Sequence, residues 1–211
     1  MHSPSVRWVP YDSLAERQRS SGAVRTIWAQ HDPDAVLVFQ AYRPEIGRAA
    51  VAAGTLAVPG FGLSRATWLK PGFLWMMRRS DWGRAEGQQV VLGIFVARAW
   101  FEEALGRAVL SSERRSAEIG AGRPPSDVVV QWDPDWDPSG HRQPWRAIQI
   151  GLLPSAVPGY LAAITGITDL SEPIARGRDQ LNSRGGPDVP DADIVAIADQ
   201  ATRRRLGIDE Q

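Results

Sequence analysis

The stretch Ala35-Val36-Leu37-Val38-Phe39-Gln40-Ala41-Tyr42 decides the fold class. It is rich in β-branched and aromatic residues and follows the turn signal His31-Asp32-Pro33-Asp34, so it predicts a buried strand. Pro44 then opens a helix through Ala53, and Gly54 closes it. Ile46, Ala49, Ala50 and Ala53 fall on one face of that helix.

Reading outward, Val90 to Ala97 predicts a second central strand, followed by a helix from Ala99 to Leu110. Val128 to Trp132 is a third strand, and Trp145 to Ile150 a fourth that pairs with it across a proline-rich connection. Val24 to Trp28 reads as a short strand, Ser155 to Thr165 as a helix, and Ala192 to Leu206 as a terminal helix. Ser111 to Asp127, with Gly120, Gly122 and Pro124-Pro125, reads as a mobile surface loop. Strands mixed with helices in no strict βαβ rhythm indicate α+β: a central mixed or antiparallel sheet with flanking helices. The expected organisation is an N-terminal extension over 1–22, a single domain over 23–182, a linker over 183–190 and a C-terminal helix over 191–211.

Composition narrows the chemistry. The chain has 211 residues, and its 24 basic and 24 acidic side chains cancel. Global charge therefore gives no argument for nucleic acid or an anionic membrane. There is no cysteine, and the three histidines (His2, His31, His141) are scattered, so neither a thiol nucleophile nor a metal is expected. No apolar run approaches the roughly 20 residues of a membrane span, and the N-terminus lacks a signal core, so a soluble, cytoplasmic protein is expected. Lys70 is the only lysine, and nine tryptophans stand beside three tyrosines.

The densest segment runs from Arg65 to Trp82. With Arg84 it holds five basic residues against Asp81 and Glu86, a local balance of +3 inside a neutral chain. Trp68, Trp75 and Trp82 are interleaved with Lys70, Arg78 and Arg79. Cations beside π-faces suit a phosphate-bearing aromatic ligand, since the cations hold phosphate while a ring stacks on a base. The same tryptophans are equally readable as core, with the arginines solvated around them.

Asp133, Asp135 and Asp137 alternate like the start of a calcium loop, but Pro138 and Pro144 stand at its sixth and twelfth positions. A rigid Asp-Pro turn whose carboxylates cap backbone amides fits better. On the fourth strand Arg146, Ile148 and Ile150 share one face and Gln149 takes the other. Arg146 there calls for an acidic partner or an anionic ligand. No P-loop, G-x-G-x-x-G, G-x-S-x-G or H-E-x-x-H is present.

Three runs together resemble the domain-of-unknown-function 4291 family of bacteria and fungi. They are Val38 to Ile46, Thr67 to Trp82, and Gln131 to Pro134 with Arg146 to Leu152. More distantly, Val38 to Leu56 is similar to the opening of ADP-ribosyltransferase-like domains, where a strand ends in a short polar motif and a glycine-terminated helix follows. That resemblance implies NAD as the cofactor, with Gln40, Tyr42 and Arg43 along one wall. Arg65, Thr67, Lys70 and Arg79 would hold phosphate, Trp68 or Trp75 would stack, and Arg146 would lie near the site. It also places the reacting ribose near Gln149, where such enzymes carry glutamate. No glutamate occurs between Glu118 and Glu172, which leaves Gln149 and Asp133 as the catalytic expectation. The alternative is a non-catalytic module that uses the same basic and aromatic cleft for nucleic acid or nucleotide.

Overall fold

The strand expected over Ala35–Tyr42 is β3, and the second central strand, Val90–Ala97, is β5, paired with it antiparallel along its whole length. A computed structural model describes residues 5–112, 126–181, 183 and 185–209. Most of the surface loop expected between Ser111 and Asp127, the last residue of the expected domain, Asn182, and Arg184 of the expected linker lie outside the described residues.

β5 also pairs with β9 (Ile164–Asp169), giving an antiparallel sheet of order β3-β5-β9. A second sheet has the order β4-β8-β7-β6, built from β4 (Thr67–Leu69), β8 (Arg142–Leu152), β7 (Val128–Trp136) and β6 (Val109–Leu110). Its pairs are antiparallel except β6 with β7. The two sheets meet at an antiparallel bridge between Phe39 and Lys70, whose backbones exchange both hydrogen bonds at 2.7 and 3.3 Å. Across that bridge the two sheets share an inner and an outer face.

Side-chain alternation separates the two faces. Val36, Val38, Val90, Leu92, Ile94 and Val96 meet Leu69, Val128, Val130, Ile148, Ile150 and Leu152 in the inner core. Helices α4 (Arg98–Arg107) and α5 (Val157–Ala163) add Phe101, Leu105, Val157 and Tyr160 to it. Leu37, Phe39, Val91 and Phe95 face the other way, onto Phe73, Met76 and Met77 of α3 (Phe73–Ser80) and Ile174 of α6 (Ser171–Asp179). The helix α2 (Pro44–Ala53) has Pro44 at its first turn and a left-handed Gly54 at its end, as the sequence predicts. The chain is thus one α+β domain.

Several boundaries differ from the sequence reading, each for a physical reason. The first 22 residues include β1 (Trp8–Pro10) and α1 (Tyr11–Ser21), and β1 pairs with β10 (Asp188–Pro190) beyond the expected linker. Only Leu14, Ala15 and Gln18 of α1 are buried, too few to print a period. Likewise Asp193–Ile194 is β11, paired with β2 (Trp28–Ala29), and the terminal helix α7 is shorter, Gln200–Leu206, capped by Asp199 on the amides of Ala201 and Thr202. The turn expected at Asp133–Pro138 starts later. β7 runs through Trp136, and Asp137 closes the turn by accepting from the His141 amide at 2.8 Å. Pro134 is tolerated because β6 pairs only with Val129 and Val130, so its missing N–H faces no partner strand.

Candidate functional site

β4 organises the polar side chains. Leu69 enters the inner core, while Trp68 lies on Gly151 of β8 on the outer face. A Cβ added at Gly151 would stand 2.9 Å from the Trp68 ring, so glycine is what admits the indole there. Lys70 continues the outward phase, and its Nζ sits 5.2 Å from the Trp75 ring centroid on α3.

The outer face next to it carries a polar chain. Gln131 and Gln149 are directly opposed across β7 and β8, and Asp133 is two residues along from Gln131. Gln131 Nε2 donates to Asp133 Oδ1 at 2.7 Å, and Gln149 Nε2 donates to Asp133 Oδ2. Among the described residues Lys70 Nζ donates to the Trp68 carbonyl alone, at 3.1 Å. Among the described residues it has no ion-pair partner. Burial and the nearby Arg79 guanidinium lower its pKa to about 7, against a smaller opposing pull from Asp133. Arg79, four residues beyond Trp75 on the same helix, is exposed and likewise makes no ion pair among the described residues. Its neighbour Arg78 lies over the Trp136 ring at 4.1 Å.

Gln40 is not part of this face. Its Nε2 donates to Thr67 Oγ1 at 2.8 Å and to the Trp68 carbonyl at 3.0 Å, while its Oε1 accepts from Tyr160 at 2.7 Å. Both amide hydrogens and the carbonyl are engaged, and the residue is 4% exposed. It ties the two sheets together from the inside, which corrects its expected role as a ligand-gripping side chain.

Tyr42, Arg43, Arg65 and Thr67 gather elsewhere, around an open cleft of about 410 Å³ where β3 ends and β4 begins. Ile46, Gly60, Phe61, Gly62 and Gly87 are among its other lining residues. Arg146 stands in a third place. It is exposed and lines a small pocket of about 40 Å³, big enough for water, together with Thr26 and Asp135. Burial raises the Asp135 pKa to about 6, although the Trp136 amide and the Trp145 indole donate to its carboxylate.

The expected site residues thus fall into an outer-face group (Trp68, Lys70, Trp75, Arg79, Asp133, Gln149), a cleft group (Tyr42, Arg43, Arg65, Thr67), Gln40 at the seam and Arg146 apart. Sequence reasoning missed Gln131, although its two-residue spacing from Asp133 on a strand would have put both on one face. It also missed Tyr160, whose partner is visible only in three dimensions. Among the described residues no three acidic or histidine side chains gather as a metal site. No helix among them is long and apolar enough to cross a membrane.

Comparison with curated proteins gives no match, and comparison with solved structures gives none either. The model of one family, a domain of unknown function, matches residues 26–194, which takes in both sheets, the outer-face group and the cleft. On that match over most of its length, the chain belongs to the DUF4291 family.

Proposed function

We propose that this protein binds a phosphate-bearing nucleotide on the outer face of its second sheet, with NAD as the ligand that the ADP-ribosyltransferase-like resemblance implies. The observation that carries the reading is Lys70, an ammonium set among apolar and aromatic groups with Arg79 nearby and no ion-pair partner among the described residues. Two neighbouring cations, neither in an ion pair among the described residues and with Asp133 exerting the smaller pull on Lys70, favour an anion between them. Trp68 and Trp75 supply π-faces for a base, and the amides of Gln131 and Gln149 suit ribose hydroxyls.

In the same reading Asp133 takes the place of the absent glutamate. Cleavage of the nicotinamide–ribose bond sends the bonding pair to nicotinamide and leaves positive charge on the ribose. A carboxylate held in place by two amide donors is suited to stabilise that charge. Water attacking the ribose gives ADP-ribose and a proton, and another acceptor in its place gives transfer.

The test is a thermal-shift titration with millimolar NAD. The melting temperature should rise, and Lys70→Ala should remove the rise; no shift in the folded wild-type protein rejects the reading. Release of nicotinamide, abolished in Asp133→Asn, tests the chemistry separately. Steeply salt-dependent binding of a single-stranded oligonucleotide without any NAD shift would replace this reading with the nucleic-acid alternative.

A further inference from the structure

We infer that the cleft between the end of β3 and the start of β4 is a second binding site, distinct from the outer face, for the phosphate group of an organic phosphate. Its polar side chains are two guanidinium groups and the hydroxyls of Tyr42 and Thr67. Arg43 and Arg65 both border the cleft, both are exposed, and among the described residues neither guanidinium has a hydrogen bond or an ion pair. Among the described residues no carboxylate lines it. The acids next to lining residues in sequence, Glu45 beside Ile46 and Glu86 beside Gly87, are both exposed and are not part of the lining.

A second observation points the same way. The Tyr42 hydroxyl is buried in a ring that borders the cleft, and among the described residues its hydrogen meets no acceptor within bonding distance. Burial holds its ionisation well above the ordinary tyrosine range, so it stays a neutral donor. An enclosed polar hydrogen without an acceptor is costly and calls for a reason.

The neighbouring bonds give that hydroxyl a direction. The Tyr160 hydroxyl donates to Gln40 Oε1, which fixes the amide so that Nε2 points at Thr67 Oγ1 and at the Trp68 carbonyl. Thr67 therefore accepts from Gln40, and its own hydrogen is free for the Tyr42 oxygen beside it. Tyr42 then has only a hydrogen left to offer. One phenolic donor and two guanidinium groups around a single opening are complementary to an anion that accepts several hydrogen bonds, as phosphate does.

The surrounding backbone is shaped to leave room. Gly60 has φ +86°, and a Cβ there would lie 3.3 Å from Arg43 Nη2 and from Ile46. A side chain at that position would press on the guanidinium and narrow the opening. The cleft exceeds the volume of phosphate alone, and Phe61 against Tyr42 (centroids 6.2 Å apart) offers an apolar wall for the attached organic group.

The test uses the full chain carrying Lys70→Met, so that the outer face contributes no phosphate binding. Titration calorimetry with AMP, ribose 5-phosphate, inorganic phosphate and adenosine should show binding of the organic phosphates and none of adenosine. Arg43→Ala and Arg65→Ala should each weaken AMP at least about tenfold. Tyr42→Phe keeps the ring and should weaken AMP about tenfold while the melting temperature holds or rises, which a purely structural tyrosine would not do. Absence of phosphate binding at millimolar concentration in the folded Lys70→Met protein overturns the proposal. So does AMP affinity indifferent to Arg43→Ala and Tyr42→Phe. Because the outer face is disabled throughout, failure here leaves the NAD reading standing, and failure of that reading leaves this one standing.

Discussion

Gln149 Nε2 donates to Asp133 Oδ2 on a diagonal of the β7–β8 ladder, since the residue directly opposite Asp133 is Ala147 and the one opposite Gln149 is Gln131. Diagonal neighbours on one face are within reach of long side chains. The bond makes the outer face of the second sheet a preset arrangement of one carboxylate and two amides rather than a scatter of polar surface groups.

Gln149→Glu would set a second carboxylate against the first. Two carboxyl groups at that range cannot both ionise easily, so one is pushed above its unfolded pKa. A carboxyl raised in the folded state costs stability as pH rises through that pKa. The variant should come closest to wild type below about pH 4 and lose about 1–3 kcal/mol at pH 8, as measured by urea unfolding. Equal stability of the two proteins at pH 8 would break the assigned contact.

Lys70 gives the outer face its own pH signature. Its folded pKa of about 7 is below the ordinary lysine value, so the group costs stability below pH 7 and that cost fades as pH climbs toward 10.5. Anion binding needs the ammonium form. Affinity for NAD should therefore be level below about pH 7 and weaken toward tenfold per pH unit above it. Lys70→Arg, which stays charged, should bind without that slope; a slope that persists in the variant assigns the titration to another group.

How far the sequence revealed these features depends on where each signal resides. β3 and β5 were legible because both are buried along nearly their whole length and are rich in β-branched residues. The Arg65–Trp82 segment was legible as a concentration of cations and indoles, but not as β4 followed by α3, nor as two separate polar sites. That separation comes from alternation on β4: Thr67 reaches the cleft and Lys70 the opposite face. Gln40 shows the other limit. Its residue type suits a ligand site and a structural seam equally, and only the positions of Thr67, Trp68 and Tyr160 decide between them.

The seam role has a measurable size. Gln40→Ala leaves the Tyr160 hydroxyl and the Trp68 carbonyl without this partner and opens a void between the sheets. A loss of about 3 kcal/mol follows from buried groups left unpaired, whereas Tyr160→Phe should cost about 1–2 kcal/mol. Denaturant midpoints with unchanged m-values would register both. A Gln40→Ala protein of wild-type stability would mean that the sheets are held together some other way.

Asp135 makes the last case, because its shift runs opposite to the usual acid behaviour. Burial raises its pKa from 3.8 to about 6, so between those values the folded state holds a proton that the unfolded chain has released. Stability from this group is therefore highest below pH 4 and falls as pH rises, with the full penalty reached above about pH 6. The size is on the order of 3 kcal/mol, from a shift of about two units. The Trp136 amide and the Trp145 indole bond the charged form and keep the penalty from growing further. Asp135→Asn cannot ionise, so its stability should lack the fall between pH 4 and 6 that wild type shows. Parallel stability profiles for the two proteins would show that Asp135 is ionised at its ordinary pKa and that the cavity beside it is open to water.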